Sequence, residues 1–333
     1  MPPTDLIGVV EAAYRSDVTD DEWLHGLTHE ARGVFDRGLG VAAYTYEVTA
    51  ANEPLITRVS LAGDFDPAWI QRFQQRMGED TEVVARPPTH WKTWLHIPCG
   101  TASKVAGLER LTSALVEFGG ARDLLSINGR DPRGFGLWLG VPLRRATQLS
   151  KAKLELYTRV AAHFGAGHRV RRTRAGRALS ADQAEAVMSP SGKVLHASGE
   201  ARHRAAREEL GRATVRMDRA RSQQGRKDAD RATSHWKGLV DARWSLLETI
   251  DSDGQRLILA TENEVALSAP APLSAREQQV LAFAAMDHTN KEIAYEMGLS
   301  ASTVRVLMAR AAKKLGAKGR STALAKYRGG LKA

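Results

Sequence analysis

The stretch LSAREQQVLAFAAMDHTNKEIAYEMGLSASTVRVLMARAAKKLGAKGRSTALAKY, residues 273–327, decides how the C-terminal end folds. Ser274 stands three residues before Glu277, and Thr289 three before Glu292. In each pair the hydroxyl caps the amide of the acidic residue while the carboxylate reaches back to the amide of the cap, which marks a helix start. Ser300 caps a further helix, and Gly298, Leu299 and Ser300 make the tight turn before it, with Gly298 able to take positive φ without steric cost. The spacing predicts four short helices, the second and third forming a helix-turn-helix.

The third of these helices has two faces. Val304, Met308, Ala311 and Leu315 recur at helical spacing and are expected to pack on Val280, Leu281, Ile293, Ala294 and Met297. Ser302, Arg305, Val306, Ala309 and Lys313 turn the other way, and small apolar groups among cations suit an approach to thymine methyls and base edges. Residues 273–333 hold eleven Lys or Arg against four Asp or Glu, the balance that phosphate neutralisation requires.

On the stretches LSAREQQVL, TNKEIAYEMGLSASTVRV and KKLGAKGRSTAL, residues 273–327 resemble the LuxR-type (GerE-like) DNA-binding domain. The resemblance implies that the third helix enters the major groove and that the fourth, from Ser321, helps two copies meet through Leu324. By position, Arg305, Val306 and Ala309 match base-facing sites, and Asn290, Lys291, Ser302, Thr303, Lys313 and Arg320 match backbone-contacting sites. Asp287 departs from a frequent glycine at a helix end, and Asp tolerates the left-handed conformation better than most residues. Leu307 departs from a frequent histidine, and Ala309 is shorter than the polar residue often found there. A basic helical packing unit and a sigma-factor region share the same helical physics, but nothing upstream looks like the polymerase-binding part of the latter.

The formal net charge is +10, and its distribution says more than its total. Residues 1–167 carry 18 basic and 20 acidic groups, whereas residues 168–243 carry 18 and 9. The positive charge sits in the middle and at the C-terminal end, so the first half is expected to stay off DNA. The hydrophobic content of 43% supports a real core. One cysteine, Cys99, excludes an internal disulfide and fits a reducing cytoplasm. No apolar run approaches the ~20 residues of a membrane span, so a cytoplasmic protein without a membrane partner is expected.

In the first half, residues 4–14 and 21–35 have helical spacing, and 40–48 and 55–62 read as an antiparallel hairpin. Asp66 and Pro67 open an amphipathic helix bearing Trp69, and another is expected near 104–118. Strands at 122–128 and 134–142 follow, joined by a turn at 129–133, and then a helix over 150–164 with Leu154, Tyr157, Ala161 and Phe164 as its buried stripe. This order looks like a GAF or PAS type sensor module, which implies an antiparallel sheet flanked by helices.

The middle region predicts two hairpins, 185–188 with 192–197 and 243–250 with 255–261, around a long basic helix over 199–236. Ala206, Leu210, Ala213, Met217 and Ala220 have coiled-coil spacing, but three of the five are alanine, so packing on the helix's own sheet is the preferred reading and a dimer helix the alternative. The expected fold class is therefore α+β and multidomain: a GAF/PAS-like sensor at 1–172, a PAS-like connecting region at 180–266 and an all-α helix-turn-helix domain at 272–330.

Tyr44, Tyr46, Trp69, Trp91, Trp94 and Trp138 are candidates for the walls of an apolar ligand pocket, core packing being the competing role. His90, His96 and Cys99 have no tight ligand spacing, so no metal and no cofactor are expected. No receiver-type acidic pair precedes a strand, no phosphate-binding glycine loop exists, and Asp251, Asp253 and Gly254 lack the later ligands of a calcium loop. The residues that acyl-homoserine lactone receptors place near their ligand have no evident counterpart. With no nucleophile, base and orienter in view, no catalytic residue is expected and the chain is not read as an enzyme. The expected function is a transcription regulator acting as a homodimer on a near-palindromic DNA operator, with RNA polymerase as a further partner and a small-molecule signal sensed in the first half. The alternatives are control by a protein partner without a small ligand, and an enzyme domain tethered to DNA.

Overall fold

The computed structural model describes residues 5–48, 54–63, 94–106, 120–174, 181–263 and 273–330, together with 108, 112–113 and 115–116. The chain divides into two compact units, Met1–Arg172 and Thr173–Ala333.

In the first unit, α1 (Leu6–Ala13) and α2 (Asp20–Phe35) precede the hairpin β1 (Val41–Val48) and β2 (Pro54–Ala62). A short β3 (Cys99–Thr101), then β4 (Asp123–Asp131) and β5 (Phe135–Leu143), complete an antiparallel sheet of order β2-β1-β5-β4-β3, and α3 (Lys151–Arg174) follows. The first unit is thus an antiparallel sheet with helices, as expected. Thr19 and Glu22 form a complete capping box at the start of α2, a signal of the same kind as those near the C-terminus.

Alternation along the strands gives the sheet two faces. Ile127, Gly129, Leu137 and Leu139 look towards the helices, and a Cβ on Gly129 would collide with the backbone of α3 at Ala161 and Gly165. Gly167 sits as tightly on the backbone of Ala13. These glycines explain why α3 runs ten residues beyond the expected end at 164. A glycine costs a helix about 1 kcal/mol relative to alanine, and close helix–strand contact offsets it. Within α3, Ala161 and Phe164 are fully buried as expected, whereas Leu154 is 40% exposed and does not belong to the stripe. On this helical side Asp131 and Arg169 form an ion pair at 3.1 Å, joined by Arg133 at 2.9 Å from the same carboxylate. The two guanidinium groups hold the Asp131 carboxyl below its ordinary range despite burial.

The strands also differ in length from expectation. β4 continues through Asp131, because Asn128 to Asp131 pair with Trp138 to Phe135, leaving a tighter turn than 129–133. The expected helix bearing Trp69 lies outside the described residues, as do seven of the fifteen positions of the one at 104–118, of which 112, 113, 115 and 116 are helical.

In the second unit, β6 (Ala186–Met188), β7 (Val194–Ala197), β8 (Trp244–Ile250) and β9 (Arg256–Glu262) form a sheet of order β7-β6-β9-β8. Both expected hairpins are present. The long helix is not: α4 (Arg204–Arg221), α5 (Gln223–Arg226) and α6 (Ala229–His235) replace it. The break falls at Ser222, whose hydroxyl accepts from the Gly225 amide, and again at Asp228, which caps Arg231. Leu210, Ala213, Met217 and Ala220 are buried. Thr214 donates to the Met188 sulfur at 3.3 Å and Gly211 lies against Gly192, so the apolar seam of α4 packs on its own sheet. At the β8–β9 turn, the Asp251 carboxylate accepts the amides of Asp253 and Gln255, as a hairpin turn requires.

The same unit ends in α7 (Ala275–Ala285), α8 (Asn290–Glu296), α9 (Ala301–Lys314) and α10 (Arg320–Gly330). Val280, Leu281, Ile293, Met297, Val304, Met308, Ala311, Ala323 and Tyr327 form their common core.

Candidate functional site

The helix-turn-helix is built by the caps read from the sequence. Ser274 with Glu277 and Thr289 with Glu292 form complete capping boxes, and the Ser300 hydroxyl accepts from the Thr303 amide at 3.0 Å. Asp287 takes φ 66° and Gly298 φ 65°, so both helix ends turn through the left-handed region. Ser300 also shares its hydroxyl with Ser302 and Thr303, which ties the first turn of α9 together.

The core stripe of α9 is Val304, Leu307, Met308 and Ala311, with Leu315 partly buried beside it. Leu307, 9% exposed, joins the core, so an apolar residue at that position is explained by packing. Ser302, Arg305, Val306, Ala309 and Lys313 are exposed, and Val306 presents an apolar surface 49% open. The helix therefore offers one continuous outward surface of two cations, a hydroxyl and small apolar groups.

Internal bonding sorts the cations of this domain into two sets. Lys314 pairs with Glu277 at 2.7 Å, and Arg276 with Asp241 at 2.6 Å. Lys326 donates to the carbonyls of Leu315 and Gly316, and Arg328 to that of Ala285. Arg320 donates to the Asn290 side chain and to the His288 carbonyl, so it braces α8 against α10. In contrast, Arg305, Arg310, Lys313 and Lys318 are exposed and make no ion pair among the described residues. They cluster on α9 and the turn after it, where an anionic partner would meet them. Arg310 and Lys318 were not among the expected contacts, although their exposure beside Ala309 and after Lys313 follows from the same helical spacing. Asn290 and Lys291 open α8, and Leu324 lies on α10, partly buried against the domain's own core.

Of the expected pocket residues, Tyr44, Tyr46, Trp94 and Trp138 come together in one buried cluster, while Trp69 and Trp91 lie outside the described residues. Tyr44 and Trp138 stack with ring centroids 4.6 Å apart. Tyr46 donates to Asn128 Oδ1 at 2.8 Å, and Asn128 Nδ2 donates to the Leu95 carbonyl. Burial pushes the Tyr46 phenol up to about 12, and the Arg130 guanidinium and the bond to Asn128 act against that rise. Cys99 is buried, and burial pushes its thiol up to about 12 as well, which leaves it protonated and unreactive.

Residues 271–326 match the family model GerE, "Bacterial regulatory proteins, luxR family", and the C-terminal domain is of that regulatory family. Among solved structures, the chain is similar to "SdiA in complex with octanoyl-rac-glycerol" at 11% identity and TM-score 0.31, over 97% of this chain and 92% of that one. It is similar to Escherichia coli SdiA at 12% identity and TM-score 0.29, over 94% and 92%. A LuxR family N-acylhomoserine lactone dependent factor, CepR2 from Burkholderia cenocepacia, matches at 13% identity and TM-score 0.32, over 52% of this chain and 96% of that one. No curated protein matches the chain.

Proposed function

We propose that this protein is a sequence-specific, dimeric transcription regulator of the cytoplasm, whose DNA reader is residues 273–330 and whose signal is bound in the first unit. The observation that carries the reading is the segregation of cations: those needed for internal bonding are engaged, and those on the exposed face of α9 make no ion pair among the described residues. Arg305, Val306 and Ala309 face base edges in the major groove, and Lys313, Ser302, Thr303, Asn290 and Lys291 hold phosphates. Arg320 acts chiefly by fixing α8 to α10. One such helix reads few base pairs, so two copies on a near-palindromic site are required for useful specificity.

The signal-binding half rests on the aromatic cluster of Tyr44, Tyr46, Trp94 and Trp138, which surrounds buried polar atoms rather than an entirely apolar interior. A ligand there acts by favouring one arrangement of the two readers over another.

Selection of bound duplexes from a random pool by the full-length protein tests the first part. The expected result is an enriched motif of two inverted halves about one DNA turn apart, with affinity falling steeply as salt rises. Recovery of duplexes without any enriched motif would overturn specific recognition, and a single unrepeated half would overturn the dimer.

A further inference from the structure

The sheet face opposite α3 carries polar atoms that no described residue satisfies. Tyr44 Oη, Trp138 Nε1, Ser126 Oγ, and Nε and Nη1 of Arg130 are enclosed without a hydrogen-bond partner among the described residues. Strand register puts all of them on one face. Tyr44 is paired with Trp138, Trp138 with Asn128, and Ser126 and Arg130 stand two residues to either side of Asn128 on β4. A buried donor or acceptor left without a partner costs the fold its desolvation unless something supplies the missing bond.

The donor balance names what is missing. A guanidinium and an indole can only donate, and a hydroxyl can do either, so the set calls for acceptors. Arg130 adds a charge. Arg130 is half-buried, with its Nε and Nη1 enclosed. The buried Arg169 has Asp131 on the opposite face of the sheet, but among the described residues no carboxylate pairs with Arg130. Asp123, at the head of the same strand, is taken up by Ser103 and by the amides of Leu124 and Thr147. Asn128 Oδ1 is used by Tyr46. The phenols cannot neutralise the guanidinium either, because burial raises Tyr44 and Tyr46 far above physiological pH. A guanidinium with two of its nitrogens enclosed and no counter-charge among the described residues is costly, and an anion is its natural complement.

We infer that this face binds an amphipathic carboxylate, with its acid group on Arg130 and its apolar body along the Tyr44–Trp138 pair. The inference rests on the signal-pocket reading above and goes beyond it by fixing the ligand's charge. Ser126 and the Trp138 indole supply further donors to the acid or to a carbonyl near it. A neutral amide or ester of the same chain would satisfy the indole and the hydroxyls but leave the guanidinium uncompensated.

The test uses full-length protein and a neutral fluorescent probe, N-phenyl-1-naphthylamine, displaced by decanoate or by decanamide. The expected result is that decanoate competes about tenfold or more better than decanamide, as a charge-assisted pair requires. In Arg130→Gln the two are expected to compete equally, with decanamide unchanged. Arg130→Lys, which keeps the charge, should retain the preference and serves where the Gln variant fails to fold. Equal competition in the natural protein, with the probe bound, overturns the anion assignment and leaves the pocket standing. A preference that survives Arg130→Gln removes Arg130 from it. A probe that does not bind overturns the pocket reading and this inference together.

Discussion

The carbonyl oxygen of Leu239 occupies the space where a Cβ on Gly298 would stand. Gly298 sits at the helix-turn-helix turn with φ 65°, and Leu239 belongs to the segment that follows α6. The contact is continued by the Ala242 amide, which donates to the Met297 carbonyl at 2.7 Å, and by Gln279 Nε2 on the Ala242 carbonyl. Tyr295 Oη meets the carbonyls of Thr233 and Trp236, and Lys237 lies 4.0 Å over the Tyr295 ring. The turn glycine thus serves two purposes, left-handed backbone and close approach. Gly298→Ala is expected to cost about 2–4 kcal/mol, roughly 1 from the left-handed strain and the rest from displaced backbone. Denaturant unfolding of the full chain measures it, and a loss below about 1 kcal/mol would show that the approach is not tight.

Arg305→Ala is expected to cost about 1–3 kcal/mol at the selected site and to relax the preference at one base step. Lys313→Ala should weaken all duplexes alike and flatten the salt dependence by about one phosphate. Binding of both variants to the selected motif and to scrambled duplexes, across a salt series, separates the two. An Arg305→Ala protein with unchanged base preference would remove it from the reading face.

The pH dependence of the first unit centres on His168, which is buried between Trp23 and Phe135. Burial, with Arg172 and Arg171 acting the same way, lowers it from 6.5 to about 4, while Asp131 and Asp20 oppose the shift. The folded protein therefore refuses a proton that the unfolded chain accepts. Stability from this site is complete above pH 6.5 and is lost as pH falls towards about 4, by about 3 kcal/mol at 1.4 kcal/mol per unit. His168→Phe should flatten the decline between those limits when unfolding is followed against pH. An unchanged decline in that variant would assign it elsewhere.

Leu324 is partly buried against the core formed by α7 to α10, yet it is expected to share its open side with a second copy. Leu324→Ser should raise the dimer dissociation constant about tenfold, while the thermal midpoint of the monomer falls only a few degrees. Sedimentation equilibrium and a melting curve measure the two effects. A large fall in midpoint with unaltered association would place Leu324 in the monomer core alone.

The C-terminal domain was readable because its signals are local. Capping boxes span three residues, and the stripe of α9 repeats within four, so neither depends on distant chain. The same kind of local signal at Thr19 and Glu22 was there to be read, as was the cap at Ser222 that breaks the middle helix. Other features depended on partners far away in sequence. The extension of α3 through Gly165 and Gly167 makes sense only against Gly129 and Ala13, and the pairing of Asp131 with Arg169 spans 38 residues. Arg130 lies between these two cases: strand alternation puts it on the face of Asn128, but only the register of β4 with β5 and of β5 with β1 brings it beside Tyr46, with no carboxylate partner among the described residues.

The clasp of residues 233–242 on α8 also bears on how this protein can be recombined. A reader cut out at residue 273 would keep its four helices but expose the Tyr295 ring, the Met297 carbonyl and the bare turn at Gly298. A C-terminal piece that keeps these contacts is therefore expected to begin near residue 181, so a chimera built on this reader should carry the sheet of β6 to β9 with it.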